Sequence, residues 1–179
     1  LLAGEARAVY GTPEGLAKLD RISAITQSRM EDITSSLHRI RELHLKMTPI
    51  DMREIMDQAL EETNLPDDIL CLKKYCDFPA RCLIDEYHTR SALKNLLDNA
   101  VDALQLSNSQ NKQISLTVDA SPAQVSLTIK DNGPGIPKSQ LRQVMLPFVS
   151  TKSKTTNWGI GLPYSFRVIN AQLGQMRIK

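Results

Sequence analysis

Three short polar side chains, Asn95, Asn99 and Asp102, recur four and three positions apart, the spacing that stacks side chains along one face of a helix. Asn and Asp compete with the backbone for hydrogen bonds and form helices poorly, so such a stripe is either a solvated face or a face that holds something. A second group is Asp131-Asn132-Gly133-Pro134-Gly135. Two glycines flanking a proline make a good turn, and they also let a planar ligand lie against the main chain. Asp131 would point a fixed acceptor into that space, suited to an exocyclic amine such as that of adenine. A third group is Gly159-Ile160-Gly161-Leu162, which opens a helix. Exposed N–H groups and the helix dipole make such a start a phosphate site. Lys152 could add a point charge to the same phosphates, whereas Lys154 reads more simply as solvated.

These groups need elements to position them. Leu93, Leu96, Leu97, Ala100, Val101 and Leu104 recur at helical spacing and predict a buried helix, capped by Asp85 and ending near Gln105. QISLTV (113–118) and QVSLTIK (124–130) alternate strongly around Pro122 and predict an antiparallel hairpin that delivers Asp131 at its end. Residues 69–75 and 81–84 read as strands about the turn Asp77-Phe78-Pro79, and Asp51 caps a short helix to Leu60 or Glu61. A short helix is expected from Lys138 to about Val144, and an amphipathic helix from the 158–162 segment to about Leu173. Upstream, residues 1–9 read as a helix end stopped by Tyr10-Gly11. Thr12 and Pro13 then start a long helix to about Met47, with an apolar stripe through Leu16, Leu19, Ile22, Ile25, Met30, Ile33, Leu37, Ile40 and Leu43. A helix of about 35 residues projects roughly 50 Å, so it needs partner helices. A helical hairpin and a second copy of the chain are the expected ones. Met47-Thr48-Pro49 breaks the pattern and marks the expected domain boundary.

The 179 residues carry 41% apolar and 23% charged residues with a net charge of +2, which describes a soluble globular chain without a nucleic-acid footprint. No apolar run is long enough to span a membrane, so any membrane segment is expected outside this chain. The cysteines Cys71, Cys76 and Cys82 lack metal spacing and read as reduced, buried thiols of a cytoplasmic protein.

Taken together, Asn95-x-x-x-Asn99, Asp131-x-Gly-x-Gly, a turn at Phe148 and Gly159-x-Gly161-Leu162 resemble, in order and spacing, the N, G1, F and G2 boxes of sensor histidine kinases. These belong to the wider Bergerat-fold superfamily that includes gyrase, a heat-shock chaperone and mismatch-repair ATPases. The resemblance covers residues 49–179. It implies an α+β chain: a two-layer α/β sandwich, the Bergerat ATP-binding fold, as catalytic domain, preceded over residues 1–48 by part of a helical dimerisation and phosphotransfer hairpin.

Carried over by position, Asn99 matches the magnesium-coordinating asparagine, Asp131 the adenine-binding aspartate, and Gly133 and Gly135 the glycines of the second box. Gly159, Gly161 and Leu162 match the last box, where glycines let a lid close over the phosphates. Asp102 and Lys152 lie at positions often near the nucleotide. Asn95 sits where other branches place a glutamate that activates water. A neutral amide is no such base, which points to phosphoryl transfer rather than hydrolysis. Residues 150–158 would be the lid. The implied function is an ATP-dependent histidine kinase core using Mg2+, dimeric through its N-terminal helices, which passes phosphate through a histidine to a response-regulator receiver domain. His38, His44 and His88 lack the family's acceptor context. The acceptor is therefore expected before Leu1, and Gln175-Met176-Arg177-Ile178-Lys179 reads as the beginning of a strand, where the family usually continues into one more. The alternative is an anti-sigma-type serine kinase, or a phosphotransferase that kept the fold.

Overall fold

The structure, a computed structural model, describes residues 12–41, 43–147, 149 and 159–178, the side chains of 16, 29 and 32–41 excepted. The expected helix end at 1–9, the turn at Phe148, Lys152, Lys154 and the 150–158 lid lie outside these residues. The chain divides into two compact units between Glu42 and Leu43.

The first unit contributes helix α1 (Pro13–Arg41). Its start is local chemistry: the Thr12 hydroxyl accepts a hydrogen bond from the Gly15 N–H at 3.1 Å, satisfying one of the donors that a helix leaves open at its N-terminus. Leu19, Ile22, Ile25 and Met30 of the predicted stripe are exposed along it. The helix stops at Arg41 rather than near Met47, and residues 43–46 carry no regular structure.

The second unit opens with strand β1 (Met47–Asp51), followed by helix α2 (Met52–Glu61), strands β2 (Ile69–Tyr75) and β3 (Arg81–Asp85) and helix α3 (Glu86–Gln105). Strands β4 (Lys112–Ala120) and β5 (Val125–Asp131), a 3-10 turn at Gln143–Met145 and helix α4 (Gly161–Ala171) complete it. The Met47-Thr48-Pro49 segment, expected only as a break, is thus a strand. Among the described residues it pairs antiparallel with β3 only, Pro49 facing Leu83, and an edge strand is where a residue without an N–H is tolerated. The other sheet has the order β2-β4-β5, with β2 and β4 parallel and β4 and β5 antiparallel. The expected helix at 138–144 is instead a series of turns ending in Gln143–Met145. Pro137 precedes it, and Leu141 and Val144 provide too little apolar surface to dock a longer helix.

Helices and sheets form two layers around one core. On the central strand β4 the alternate residues Ile114, Leu116 and Val118 are fully buried. They meet Ile55, Met56 and Ala59 of α2 and Leu93, Leu97, Ala100, Val101 and Leu104 of α3. Truncating Leu97 or Leu104 to alanine in such packing costs about 2–5 kcal/mol. Helices α2 and α3 are capped as the sequence predicts. Asp51 accepts from the Arg53 N–H at 3.0 Å, and Asp85 accepts from the His88 N–H at 2.8 Å with one oxygen and from the Lys46 N–H at 2.7 Å with the other. The cysteines are free and half-buried, and burial pushes the thiols of Cys71 and Cys82 up, away from the reactive thiolate.

Candidate functional site

Helix α3 is the spine of the site. Its buried stripe faces the sheet, and Asn95, Asn99 and Asp102 are half-buried on the neighbouring face. Ala103 extends that stripe, because residues 95, 99 and 103 follow one another at four-residue spacing. Two glycine segments close on the two ends of the stripe 95–103.

At the C-terminal end, Gly133 packs against Ala103. A Cβ at Gly133 would stand 3.3 Å from the Ala103 Cβ and 2.8 Å from the Asp131 Oδ1, so a side chain there would push the Asp131 carboxylate out of place. The Gly133 N–H donates to that same Oδ1 at 2.9 Å. This fixes the Asp131 carboxylate and leaves Oδ2 without a protein partner among the described residues, as an acceptor for a ligand donor. The loop is held from outside by Asn132, which the sequence did not single out. Its Oδ1 accepts from the Gln113 N–H at 2.8 Å and its Nδ2 donates to the Asn111 carbonyl at 2.6 Å. Gly135 lies in the left-handed region and is exposed.

At the N-terminal end, Gly161 abuts Asn95. A Cβ at Gly161 would lie 3.6 Å from Asn95 Cβ and Cγ and 3.7 Å from Oδ1. Gly161 starts α4 with no side-chain cap and no acidic residue in the first turn, so its leading N–H groups are suited to an anion. Gly159 makes that approach possible. Its φ is 65° and a Cβ there would stand 2.5 Å from the Val149 carbonyl oxygen, a combination that excludes any side chain. Leu162 is half-buried in the first turn of α4.

Helix α4 runs antiparallel along α3, and polar contacts join the two. The Gln172 Oε1 accepts from the Asp85 N–H at 2.6 Å and from the Thr89 hydroxyl at 3.2 Å. The Tyr164 hydroxyl and His88 Nδ1 are 2.8 Å apart. The buried Ser165 hydroxyl donates toward Ala92 and Gly161 carbonyls. Sequence reasoning missed Ala103, Asn132, Ser165 and Gln172. Ala103 alone carried a local signal, a small residue continuing the polar stripe.

The structure thus brings Asn95, Gly161, Asp131 and Gly133 to one face of α3, with Asn99 between the two ends. Residues 95 and 103 are eight positions apart, so the two glycine contacts are about 12 Å apart along the helix axis. One end is anionic and suited to a base with an exocyclic donor. The other presents backbone N–H groups and a neutral amide, suited to phosphate. The asparagine amides are the oxygen donors a hard cation takes. Among the described residues there is no cluster of three or more His, Cys, Asp and Glu that could hold a metal ion.

Comparison with known proteins agrees with this geometry. Residues 84–179 match the family described as histidine kinase-, DNA gyrase B- and HSP90-like ATPase. Sporulation kinase C of Bacillus subtilis is 24% identical over 153 residues, covering 85% of this chain and 32% of that protein. Sensor histidine kinase ZraS of Escherichia coli O157:H7 is 25% identical over 167 residues, covering 90% and 35%. The chain spans about a third of the length of these curated relatives. The solved structure of the mycobacterial sensor histidine kinase MprB superposes with a TM-score of 0.61 at 25% identity, over 71% of this chain and 80% of that one. The family match takes in α3, the glycine segments and α4, and the chain belongs to the histidine kinase-, DNA gyrase B- and HSP90-like ATPase family.

Proposed function

We propose that residues 49–179 are the ATP-binding catalytic domain of a sensor histidine kinase, and that residues 1–48 belong to its dimerisation hairpin. The observation that carries this is the bracketing of Asn99 by two glycine contacts on one face of α3, at Ala103 and at Asn95. Adenine would lie at the Asp131 end, its amine donating to Oδ2, with Gly133 and Gly135 forming the wall. The phosphates would lie under Gly159, Gly161 and Leu162, with Lys152 adding a charge to them, and Asp102 would lie near the nucleotide toward its base end. Mg2+ would take the Asn99 amide oxygen together with phosphate oxygens. When bound, the ion neutralises the charge that develops on the transferred phosphoryl group. Asn95 beside Gly161 offers an amide where hydrolysis would need a base, so the site is built to withhold water and to present the γ-phosphate to an incoming imidazole. The histidine then passes the phosphate to an aspartate of a receiver domain.

The exposed stripe Leu19, Ile22, Ile25 and Met30 on α1 supports a homodimer through the N-terminal helices. A cytoplasmic setting accords with reduced, half-buried thiols and with the absence among the described residues of a helix long and apolar enough to cross a membrane. The serine-kinase alternative is not favoured, because the curated relatives are named kinases of the sporulation and sensor histidine type.

Calorimetric titration with ATP, with and without Mg2+, tests the reading. Asn99→Ala should abolish the magnesium dependence. Asp131→Asn should weaken ATP by roughly 1–3 kcal/mol, because a donor then faces a donor. If both variants bind as the parent does, the assignment of the two ends is wrong. Light scattering that finds only monomer at every accessible concentration, with α1 folded, would count against the dimer.

A further inference from the structure

Ser165 is fully buried (0% exposed) in the helix that begins at Gly161, and a hydroxyl in that setting is costly unless bonded. It lies 2.9 Å from the Gly161 carbonyl one turn earlier, the usual back-bond of a helical serine. It also lies 3.1 Å from the Ala92 carbonyl of α3, a bond to a different helix. The two acceptors have particular places. Ala92 lies three residues before Asn95 on α3, and Gly161 is the residue whose Cα faces the Asn95 side chain. One shared proton therefore spans the two backbone points that set where the first turn of α4 stands relative to the Asn95 amide. Among the described residues, the contacts from Tyr164 to His88 and from Gln172 to Asp85 and Thr89 reach the N-terminal end of α3. They hold α4 in place there, while the Ser165 contact lies one turn from Asn95.

We propose that Ser165 is a positioning residue for the phosphate end of the site: its hydroxyl registers the opening N–H groups of α4 against Asn95, while touching neither nucleotide nor metal. The inference rests on the nucleotide-site reading above and adds to it a dependence on one buried side chain. If the register slips by a few tenths of an ångström, the base end at Asp131 and Ala103 is unaffected, because that end is held by Asn132 and Gly133. The loss should therefore be confined to the phosphates.

The experiment measures Mg-ATP and AMP affinities of the parent chain, Ser165→Ala and Ser165→Thr by calorimetry, with urea melts alongside. Ser165→Ala should lose roughly five- to tenfold in ATP affinity, the worth of one buried hydrogen bond, with AMP within about twofold of the parent. Ser165→Thr, which keeps the hydroxyl, should restore the parental ratio of ATP to AMP affinity. A serine that served only stability would lower the melt and leave that ratio alone, so an unchanged ratio in folded Ser165→Ala overturns the proposal. If Ser165→Ala does not fold, Ser165→Cys fills the same space with a weak donor, and the same selective loss, or its absence, decides. A parent that binds no ATP overturns the site reading and this inference together, whereas a parent that binds ATP with an unchanged variant ratio overturns the inference alone.

Discussion

The last glycine box divides the labour of its residues unequally. At Gly159 a side chain is excluded twice over, by a left-handed backbone and by a Val149 carbonyl oxygen 2.5 Å from where a Cβ would sit. Gly159→Ala should cost about 1–3 kcal/mol in a urea melt, the usual cost of backbone strain at a constrained site. Gly161 differs, because its Cβ would meet Asn95 at an ordinary 3.6 Å. Gly161→Ala should therefore fold as well as the parent or gain up to about 1 kcal/mol of helix propensity. It should still bind Mg-ATP more weakly, since the methyl takes up room beside the Asn95 amide. The pair separates conformation from access: a Gly161→Ala chain with parental ATP affinity would show that phosphate does not pass between Gly161 and Asn95. Asn132 adds a lesson about what spacing conveys. Its type suggested a turn, but its work is to tie the ends of β4 and of the preceding loop to the segment that carries Asp131, a long-range pairing that local pattern does not encode.

At the scale of elements, α2 illustrates how a cap also sets the response to acid. Asp51 is buried, and it accepts from the Arg53 N–H and from the guanidinium, the latter at 2.7 Å. The hydrogen bonds from the Arg53 side chain hold its carboxyl below its ordinary value of 3.8, against the opposing effect of burial. Because the folded-state value is depressed, the stabilisation is fully present above the unfolded value and is lost as the pH falls through the folded one. Asp51→Asn keeps a capping oxygen but loses the charge-assisted bonds from the Arg53 guanidinium, and should lower stability at neutral pH by about 1 kcal/mol and flatten the decline below about pH 4 relative to the parent. Equal slopes for the two chains in acid urea melts would contradict this. The elements legible in the sequence are those fixed by local pattern: α3 with its Asp85 cap, α2 with Asp51, and the β4 and β5 hairpin with its alternating core. Where pairing is non-local the pattern is silent. The turn at Asp77-Phe78-Pro79 separates β2 and β3 as read, but the two strands enter different sheets, β2 alongside β4 and β3 against β1. The strand at Met47–Asp51 was hidden by its proline, and the helix expected at 138–144 lacked the apolar face to exist.

At the scale of the whole molecule, the site and the chain's histidines have to be considered together. Transfer requires an imidazole held in line with the γ-phosphate. His88 does not offer one: its Nδ1 is bonded to the Tyr164 hydroxyl at 2.8 Å and its ring lies edge-on to Tyr87 within the α3 and α4 seam. His44 is exposed in the segment before β1, outside any helix that could present it. The His38 side chain lies outside the described residues, and its sequence context on α1 is not that of an acceptor. Saturating Mg-ATP at about a hundred times the dissociation constant should stabilise the fold by roughly 2.7 kcal/mol, visible as a shift of the thermal midpoint. Yet the same chain incubated with γ-labelled ATP should retain no acid-labile phosphate. Acid-labile label that disappears in His38→Gln would place the acceptor on α1 and overturn this expectation, while acid-stable label would revive the serine-kinase alternative. Binding without self-labelling would identify the chain as a nucleotide-loaded donor whose acceptor must be supplied by another histidine-bearing helix, and adding such a helix in trans should restore the label.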